Sequence, residues 1–198
     1  MFILGLTGSL GMGKSTTAKF FAEEGVPVHD SDAVVHRLYD GAAAGQIEAV
    51  FPGTTANGTV DRNKLAAHLI AHPADFKKLE GLVHPLVHAE EQKFLAAAER
   101  DGAKVVVLDI PLLYETGAEA RCDAVAVVSA TPEMQRRRAS ERGMSDERFE
   151  AIIARQVPDA VKRERADFIV DSSKGFEDAR EQVRDILKAV ANMPKRRI

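Results

Sequence analysis

Cysteine, long apolar runs and an excess of one charge are all nearly absent from this chain. Cys122 is the only cysteine among 198 residues, which excludes an internal disulfide and favours a reducing compartment. The formal net charge of −3 leaves no large basic surface of the kind that binds nucleic acid. The apolar run at residues 2–6 is far shorter than a signal peptide or a membrane span. The sequence therefore predicts a soluble, cytoplasmic protein without nucleic-acid or membrane partners, and nothing in it indicates an obligate protein partner.

A glycine-rich segment, Gly-Ser-Leu-Gly-Met-Gly-Lys-Ser at residues 8–15, stands between the first apolar run and a helical pattern. A strand, a glycine loop, Lys-Ser and a helix in this order are typical of a nucleoside triphosphate site. Glycines let the backbone wrap around phosphate oxygens, and the helix adds the positive end of its dipole. Lys14 is predicted to reach the β- and γ-phosphates, and Ser15 to place its hydroxyl on Mg²⁺. The alternative is a glycine turn that only joins a strand to a helix.

Short apolar runs alternate with helical patterns in much of the chain, which predicts a parallel sheet with helices on both faces. The predicted strands are residues 2–7, 26–29, 105–108, 124–128 and 168–170. A helical pattern at residues 14–24 follows the first strand, and another follows the last and runs to about Val190. The expected fold class is therefore α/β.

Two segments interrupt this alternation. Residues 33–102 contain several helical patterns, including the apolar stripe Leu65, Leu69 and Ile70, and no convincing strand. Because a crossover between parallel strands needs far fewer residues, this interval is predicted to be a helical insertion. Residues 131–165 are dense in arginine and glutamate and form the second unusual segment.

Groups that begin with an aspartate follow three of the predicted strands, namely Asp30-Ser31-Asp32, Asp109-Ile110-Pro111 and Asp171-Ser172-Ser173. The carboxyl ends of parallel strands face one crevice, so these residues are expected near the glycine loop. Asp109 is predicted to hold Mg²⁺, directly or through water. Asp32, at the start of the insertion, is predicted to accept a proton from an attacking hydroxyl or to orient it. Each residue taken alone is equally consistent with a cap on the next helix.

Arginines cluster in the 131–165 segment, beginning with the run at residues 136–138. An arginine on a mobile segment can stabilise the negative charge that spreads over a transferred phosphoryl group. The segment as a whole is therefore predicted to close over the nucleotide as a lid. For any single arginine, a solvated helix that pairs arginine with glutamate is the favoured alternative.

Two histidine pairs have a spacing that could suit a metal, namely His68 with His72 and His84 with His88. Zinc needs three or four ligands, and no cysteine or third ligand stands near either pair, so a metal role is not favoured. His84-Pro85 instead predicts a fixed turn before a helix, because proline suits the first helical position.

Several motifs, in this order, resemble those of the dephospho-CoA kinase family over nearly the whole chain. Residues 5–16 match its phosphate loop, and Asp30-Ser31-Asp32 resembles its Asp-Ala-Asp motif. Residues 58–65 and 79–87 resemble two signatures of its substrate domain. Residues 109–117 resemble its Asp-x-Pro-Leu-Leu-Phe-Glu-x-Gly stretch. The phosphate loop alone indicates nucleotide binding, whereas the combination is far more specific.

The resemblance implies a P-loop kinase core with a five-stranded parallel sheet, a helical insertion that receives the CoA moiety, and an arginine-bearing lid. The core would comprise residues 1–32, 103–130 and 166–198, the substrate domain 33–102 and the lid 131–165. The implied activity is ATP-dependent phosphorylation of the ribose 3′-hydroxyl of dephospho-CoA, with Mg²⁺. This reaction gives CoA and ADP and is the final step of CoA biosynthesis.

The resemblance also implies roles for individual residues. The catalytic group would comprise Asp32 as the base, with Lys14, Arg138 and Arg142. ATP would be bound by Gly11, Met12, Gly13, Lys14, Ser15 and Thr16. The acceptor would lie near Thr7, Asp32, His84 and Pro85, while Ser15 and Asp109 would serve the metal.

Three positions depart from the family pattern. Ser31 replaces a commoner alanine, and Tyr114 replaces a commoner phenylalanine. Ile152 stands where many members carry an arginine four residues before the glutamine, here Gln156. Arg155 would face another direction on a helix, so the lid's nucleotide contacts stay open at this point.

Two other functions compete with this interpretation. Another small-molecule P-loop kinase would share the core but should lack the His-Pro and Pro-Leu-Leu-Tyr-Glu stretches. A nucleotide-dependent binding switch is the alternative from outside the enzymes. A guanine-specific switch would be expected to carry an Asn-Lys-x-Asp-like motif, which residues 63–66, Asn-Lys-Leu-Ala, do not supply.

Overall fold

The chain forms two units, and each has its own apolar core. The computed structural model describes residues 1–196. The larger unit comprises Met1–His29 and the chain from Ala98 onward, and the smaller unit comprises Asp30–Ala97. Residues 131–165 belong to the larger unit, so their role as a separate lid stays a prediction. Within the described part of the chain, no helix combines the length and the apolar character that crossing a membrane requires.

A five-stranded parallel sheet, in the order β2-β5-β1-β6-β7, confirms the α/β fold predicted from the sequence. Each of the five predicted apolar runs overlaps one of its strands, and the second strand begins at Val28 rather than at Val26. The strands of residues 1–196 are β1 (Phe2–Thr7), β2 (Val28–Asp30), β3 (Thr55–Ala56), β4 (Thr59–Val60), β5 (Val105–Asp109), β6 (Ala124–Ser129) and β7 (Phe168–Asp171). The central strand β1 pairs Leu4 with Val107 of β5 on one side and with Ala124 of β6 on the other.

Helices cover the sheet and make up most of the smaller unit. They are α1 (Lys14–Glu23), α2 (Ser31–Tyr39), α3 (Ala44–Val50), α4 (Arg62–Ala71), α5 (Phe76–Arg100), α6 (Pro132–Glu141), α7 (Asp146–Ile153), α8 (Asp159–Arg165) and α9 (Phe176–Val190). Phe21 of α1 and Val183 of α9 are both fully buried in one cluster with Leu4, Leu6 and Val107. Because β1, β5 and β6 are buried on both faces, their sequences are continuously apolar rather than alternating.

Two aspartates complete the hydrogen bonding of the sheet at the starts of β6 and β7. Asp123 accepts a hydrogen bond from Ile3 N at 2.7 Å through its carboxylate and donates its own N–H to Ile3 O at 2.8 Å. Asp167 repeats the arrangement with Val125, at 2.8 and 3.0 Å. Each carboxylate thus replaces the carbonyl that a longer neighbouring strand would have supplied to the ladder.

The smaller unit is built around an apolar cluster that helices α2, α3, α4 and α5 share with a short hairpin. Val34, Ile47 and Phe51 are at most 1% exposed in this cluster, and Leu65 and Leu69 of α4 pack with them. Ile70 was predicted to belong to the same stripe, but it is 78% exposed. Ile70 lies one residue past Leu69, which turns it by about 100° to the solvent side of the helix.

The hairpin β3–β4 corrects the prediction that residues 33–102 contain no strand. Thr55 pairs with Val60 and Ala56 with Thr59, so each strand is only two residues long and offers no alternation to detect. The sequence feature that could have predicted this hairpin is the turn between its two strands. Asn57 and Gly58 have φ of 51° and 77°. An Asn-Gly pair with both φ values positive is the preferred two-residue hairpin connection.

The predicted turn at His84-Pro85 is also wrong, because Pro85 lies inside the long helix α5. Proline removes one N–H and crowds the carbonyl four residues earlier, which belongs here to Gly81. Glycine at that position gives the backbone freedom to adjust. The helix therefore continues through a residue that usually begins or ends one.

Removing the Asp123 carboxylate should destabilise the larger unit. Asp123→Ala leaves the Ile3 N–H without its acceptor, and we expect the free energy of unfolding to fall by about 1–3 kcal/mol. Asp123→Asn keeps an acceptor oxygen in nearly the same place and should lose much less. Urea unfolding followed by circular dichroism measures both, and an alanine variant as stable as the asparagine variant would contradict the assigned role.

Candidate active site

The glycine-rich loop lies between β1 and α1, as its sequence predicts. Gly11 and Gly13 have φ of 78° and 95°, in the left-handed region that favours glycine. A Cβ added to Gly11 would also lie 2.7 Å from the carbonyl oxygen of Gln135. Gly13 is the N-cap of α1 and has no side chain with which to cap it. The first amides of α1 therefore face a concave backbone that suits a phosphate group.

Lys14 and Asp109 form an ion pair beside this loop. Lys14 Nζ lies 2.7 Å from Asp109 Oδ1, and the Asp109 side chain is 2% exposed. The contact follows from the sheet, because Asp109 ends β5 opposite Leu6 of β1. The ammonium is therefore held next to a carboxylate where sequence analysis expected a metal ligand. Ser15, the other predicted metal ligand, is exposed in the first turn of α1.

Arg138 of α6 reaches back to the loop and to the chain after β7. Its guanidinium donates to Ser172 Oγ at 2.9 Å, to Ser172 O at 2.8 Å and to Gly11 O at 3.4 Å. Burial lowers the pKa of this guanidinium, and the nearby Arg137 and Arg142 lower it further. Arginine nevertheless remains charged in proteins. The planar guanidinium of Arg138 therefore holds the phosphate loop and the residue after β7 in a fixed relative position.

Two glutamines, which sequence analysis did not assign to the site, hold the tip of the loop. Gln135 Nε2 donates to Leu10 O at 2.7 Å, and Gln156 Oε1 accepts from Leu10 N at 3.2 Å. Gln135 is 8% exposed on a helix that is otherwise rich in charge. A neutral amide among arginines was the available signal, because an amide can satisfy a buried backbone group without burying a charge.

Within the predicted group Asp171-Ser172-Ser173, it is Ser172 that connects β7 to the loop. Its hydroxyl donates to Met12 O at 2.7 Å. Asp171 instead caps the turn that follows it, with Ser173 N at 2.9 Å. The Ser173 hydroxyl is the main cause that holds the pKa of the Asp171 carboxyl below its usual value. Of the two acidic strand ends that lie wholly in the larger unit, only Asp109 faces the loop.

A cavity of about 430 Å³ opens beside Gly13, within the larger unit. Its walls include Thr17 and Phe20 of α1, Arg138 of α6, Arg142 at the C-cap of that helix, and Phe176 at the start of α9. Phe176 is 70% exposed. An exposed ring facing guanidinium groups suits a flat aromatic group by stacking and cation–π contact.

Thr7, which was expected near an acceptor, is completely buried at the end of β1. Its hydroxyl donates to Pro111 O at 3.0 Å. This bond ties the end of β1 to the Asp-x-Pro stretch that follows β5. A role for Thr7 toward a substrate stays a prediction.

The other predicted acceptor residues belong to the smaller unit. Asp32 is exposed in the first turn of α2, and the Asp30 side chain caps that helix by accepting from Ala33 N at 2.9 Å. His84 and Pro85 lie in α5. The capping alternative thus applies to Asp30, whereas the Asp32 carboxylate lies on the helix surface.

The histidine pairs do not form a metal centre in the described structure. His68 Nε2 lies 2.8 Å from Asp75 Oδ2, and the rings of His68 and His72 are 4.8 Å apart. Within residues 1–196, no group of three or more His, Cys, Asp or Glu side chains is placed to hold a metal ion.

Solved structures show the same fold, which is that of the P-loop kinases. A Thermus thermophilus protein named TT1252 is 34% identical, with a TM-score of 0.87 over 96% of this chain and 97% of that one. A dephospho-CoA kinase from Campylobacter jejuni gives 0.73 at 22% identity, over 96% and 98%. A shikimate kinase from Bacteroides thetaiotaomicron shares the fold more distantly, at 0.50. At such low identity the last two show the fold alone.

Sequence comparison narrows the class to one family. A family model described as dephospho-CoA kinase matches residues 2–178. A protein of that name from Bradyrhizobium diazoefficiens is 63% identical over 198 residues, the full length of both chains. One from Rhodopseudomonas palustris is 58% identical over the same length. The chain belongs to the dephospho-CoA kinase family, and the resemblance predicted from its motifs is confirmed.

Ser172 should control how firmly the phosphate loop is held. Ser172→Ala removes the hydroxyl that Met12 O and Arg138 share, so the amides of residues 9–13 should exchange hydrogen faster. Ser173→Ala is the matched control, because its hydroxyl bonds to Asp171 at 2.5 Å and not to the loop. Hydrogen-exchange mass spectrometry compares the two, and equal exchange in the loop would contradict this assignment.

Proposed function

We propose that this protein transfers the γ-phosphoryl group of ATP to the ribose 3′-hydroxyl of dephospho-CoA, giving CoA and ADP. The observation that carries the proposal is the phosphate loop between β1 and α1, in a chain that belongs to the dephospho-CoA kinase family throughout its length. The relatives are named dephospho-CoA kinase, and this name identifies the proposed acceptor substrate. The loop supplies the donor class, because a nucleoside triphosphate is what such a loop binds.

The donor site is proposed to be the backbone of residues 11–16 together with Lys14. Backbone amides at the start of α1 would bind phosphate oxygens without any change of protonation. Lys14 would leave Asp109 and approach the β- and γ-phosphates, whose charge competes directly with the carboxylate. The ion pair at 2.7 Å thus keeps the Lys14 ammonium beside the proposed site of the β- and γ-phosphates.

Mg²⁺ is the proposed metal, and the donors nearby fit it. Asp109 offers a buried carboxylate and Ser15 an exposed hydroxyl, which are both hard oxygen ligands. Mg²⁺ in kinases commonly takes one or two protein oxygens and completes its shell with phosphates and water. When bound, it would neutralise charge on the phosphates, while Asp109 holds it directly or through water.

The nucleoside is proposed to occupy the 430 Å³ cavity beside Gly13. Its base would contact Phe176, and Arg138 and Arg142 would lie toward the phosphates and stabilise the charge of the transferred group. Residues 131–165 would act as the lid, which excludes water from the γ-phosphate. Arg138 is already anchored to Ser172, so Arg142 at the exposed end of α6 is the better candidate for movement.

The smaller unit is proposed to receive the CoA moiety, with Thr7, His84 and Pro85 near the acceptor. Asp32 would accept the proton of the 3′-hydroxyl or orient that hydroxyl for attack. Support comes from the position of Asp32 in the chain, two residues after a strand of the sheet that carries the phosphate loop.

The proposed compartment is the cytoplasm. Both substrates are water-soluble nucleotides, and a single cysteine agrees with a reducing compartment. No obligate protein partner enters this scheme.

Purified protein should release ADP from MgATP when dephospho-CoA is added, and far less with AMP or shikimate. A coupled assay measures ADP, and mass spectrometry should identify CoA as the other product. Lys14→Met is the control, since loss of the charge at the γ-phosphate should lower kcat on the order of 10²-fold or more while the fold persists. Turnover with AMP or shikimate that exceeds turnover with dephospho-CoA would overturn the proposal.

Asp32→Asn should lower kcat far more than it weakens ATP binding. The amide keeps the shape of the side chain but cannot take a proton, so general-base assistance of about 10²–10⁴-fold is lost. Asp30→Asn is the matched control, because asparagine caps a helix as well as aspartate does. If kcat of the Asp32 variant holds and only the KM for dephospho-CoA rises, Asp32 is a binding residue and not the base.

A further inference from the structure

A buried ion pair links α8 to the Pro-Leu-Leu-Tyr-Glu stretch, behind the phosphate loop. Lys162 of α8 is completely buried, and its Nζ lies 2.9 Å from Oε1 of Glu115, whose side chain is 14% exposed. The contact does not have hydrogen-bond alignment, so the attraction is chiefly Coulombic. A lysine is rarely buried to this extent unless a carboxylate pairs with it. Neither residue has a place in the proposed chemistry.

The same carboxylate holds the backbone just before α8. Glu115 Oε1 accepts a hydrogen bond from Val157 N at 2.8 Å. Oε2 of Glu115 is buried and has no hydrogen-bond partner within residues 1–196. One oxygen atom therefore receives both the ammonium of Lys162 and the amide of Val157. The position of Val157 is fixed only while Glu115 is held in this orientation.

Val157 is adjacent to a residue that touches the phosphate loop. Gln156 Oε1 accepts from Leu10 N at 3.2 Å, and Gln135 binds the carbonyl of the same residue. A path of direct contacts thus runs from Lys162 to Glu115, to Val157, and through Gln156 to Leu10. Each contact lies within the larger unit.

The far end of α8 is tied down separately. Arg165 forms an ion pair with Glu119, and its guanidinium lies over the Tyr114 ring at 4.2 Å from the centroid. Asp159, in the first turn, accepts from Ser129 Oγ at 2.7 Å. The helix is therefore fixed to β6 and to the loop after β5, which makes it a rigid support.

We infer that Glu115 and Lys162 are positioning residues for the phosphate loop, acting through Val157 and Gln156 on Leu10. The pair sets the shape of the loop before a nucleotide arrives, and so contributes to ATP affinity without touching ATP. It follows that residues 156–165 support the phosphate loop, so movement of the proposed lid, residues 131–165, is confined to its part before Gln156. The inference rests on the proposed function for the identity of the nucleotide only.

The decisive variant replaces both charges with apolar side chains, Glu115→Leu with Lys162→Met. Removing both members avoids a buried charge without a partner, so the midpoint of thermal unfolding should fall only by the amount that one backbone N–H without its acceptor costs. The amide of Val157 loses its acceptor, and we expect the Kd and KM for ATP to rise by roughly three- to tenfold. The KM for the acceptor should change little.

Two further variants separate positioning from general damage. Glu115→Gln with Lys162→Met keeps an oxygen for Val157 N and should restore most of the ATP affinity. Arg165→Met breaks the other ion pair of α8 and should leave the KM for ATP unchanged. Gln156→Ala should itself weaken ATP binding, and adding the Leu/Met pair to it should then have no further effect. Such non-additivity is the mark of residues that act through one contact.

Additive effects of the pair and Gln156→Ala, or an unchanged Kd for ATP in the Leu/Met pair, would overturn the inference. If that pair does not fold, the same cycle is run with a smaller apolar pair, Glu115→Ala with Lys162→Leu, where the loss of affinity should again vanish in the Gln156→Ala background. Persistence of the loss there would count equally against it.

Hydrogen exchange at Leu10 gives a readout that needs no substrate. Its amide should exchange faster in the Leu/Met pair than in the Gln/Met pair, and equal rates would contradict the inference. An enzyme inactive on dephospho-CoA would defeat the proposed function, yet this measurement would still decide the role of Glu115 and Lys162.

Discussion

The phosphate loop is a tightly curved segment of backbone, and side chains from several parts of the larger unit hold it. Gly11 and Gly13 give the loop its left-handed turns, and these turns point some backbone groups inward, toward phosphate, and others outward. The outward groups need partners because they are removed from water. Gln135, Gln156, Arg138 and Ser172 supply them, at distances between 2.7 and 3.4 Å.

Those four side chains lie far from the loop in the sequence, and the sheet explains how three of them reach it. Residues 135 and 138 follow β6, and Ser172 follows β7, while the loop itself follows β1. Because parallel strands place their carboxyl ends at one edge, the residues after each strand lie close together. The same edge brings Asp109 to Lys14, so the support of the loop and its candidate chemistry have a common origin.

Much of this arrangement could be predicted from the sequence, because it depends on patterns that short segments carry. Apolar runs gave the five sheet strands, and the glycine spacing gave the phosphate loop. The outward partners could not be assigned to particular loop atoms in this way, since the neutral amide of Gln135 among arginines and the position of Ser172 after a strand do not say which backbone group each one meets. Pro85 was misplaced because its usual position at a helix start outweighed the long apolar pattern of α5. The Asn57-Gly58 turn could have been recognised from the sequence, but its flanking strands of two residues are too short to show the alternation that would indicate a hairpin.

The two sets of loop contacts also explain why the site can be both rigid and responsive. Backbone bonds made by neutral glutamine and serine side chains do not change when a charged ligand arrives, so they preserve the curve of the loop. The Lys14–Asp109 pair is different, because phosphate or a cation competes for either partner. Contacts that a phosphate does not compete for, including those of Arg138 and of the buried Glu115–Lys162 pair, therefore fix the shape, and the Lys14–Asp109 pair is left to exchange. If the loop were held only by ion pairs that the phosphate can reach, binding of the phosphate would break some of these pairs and change the shape of the loop.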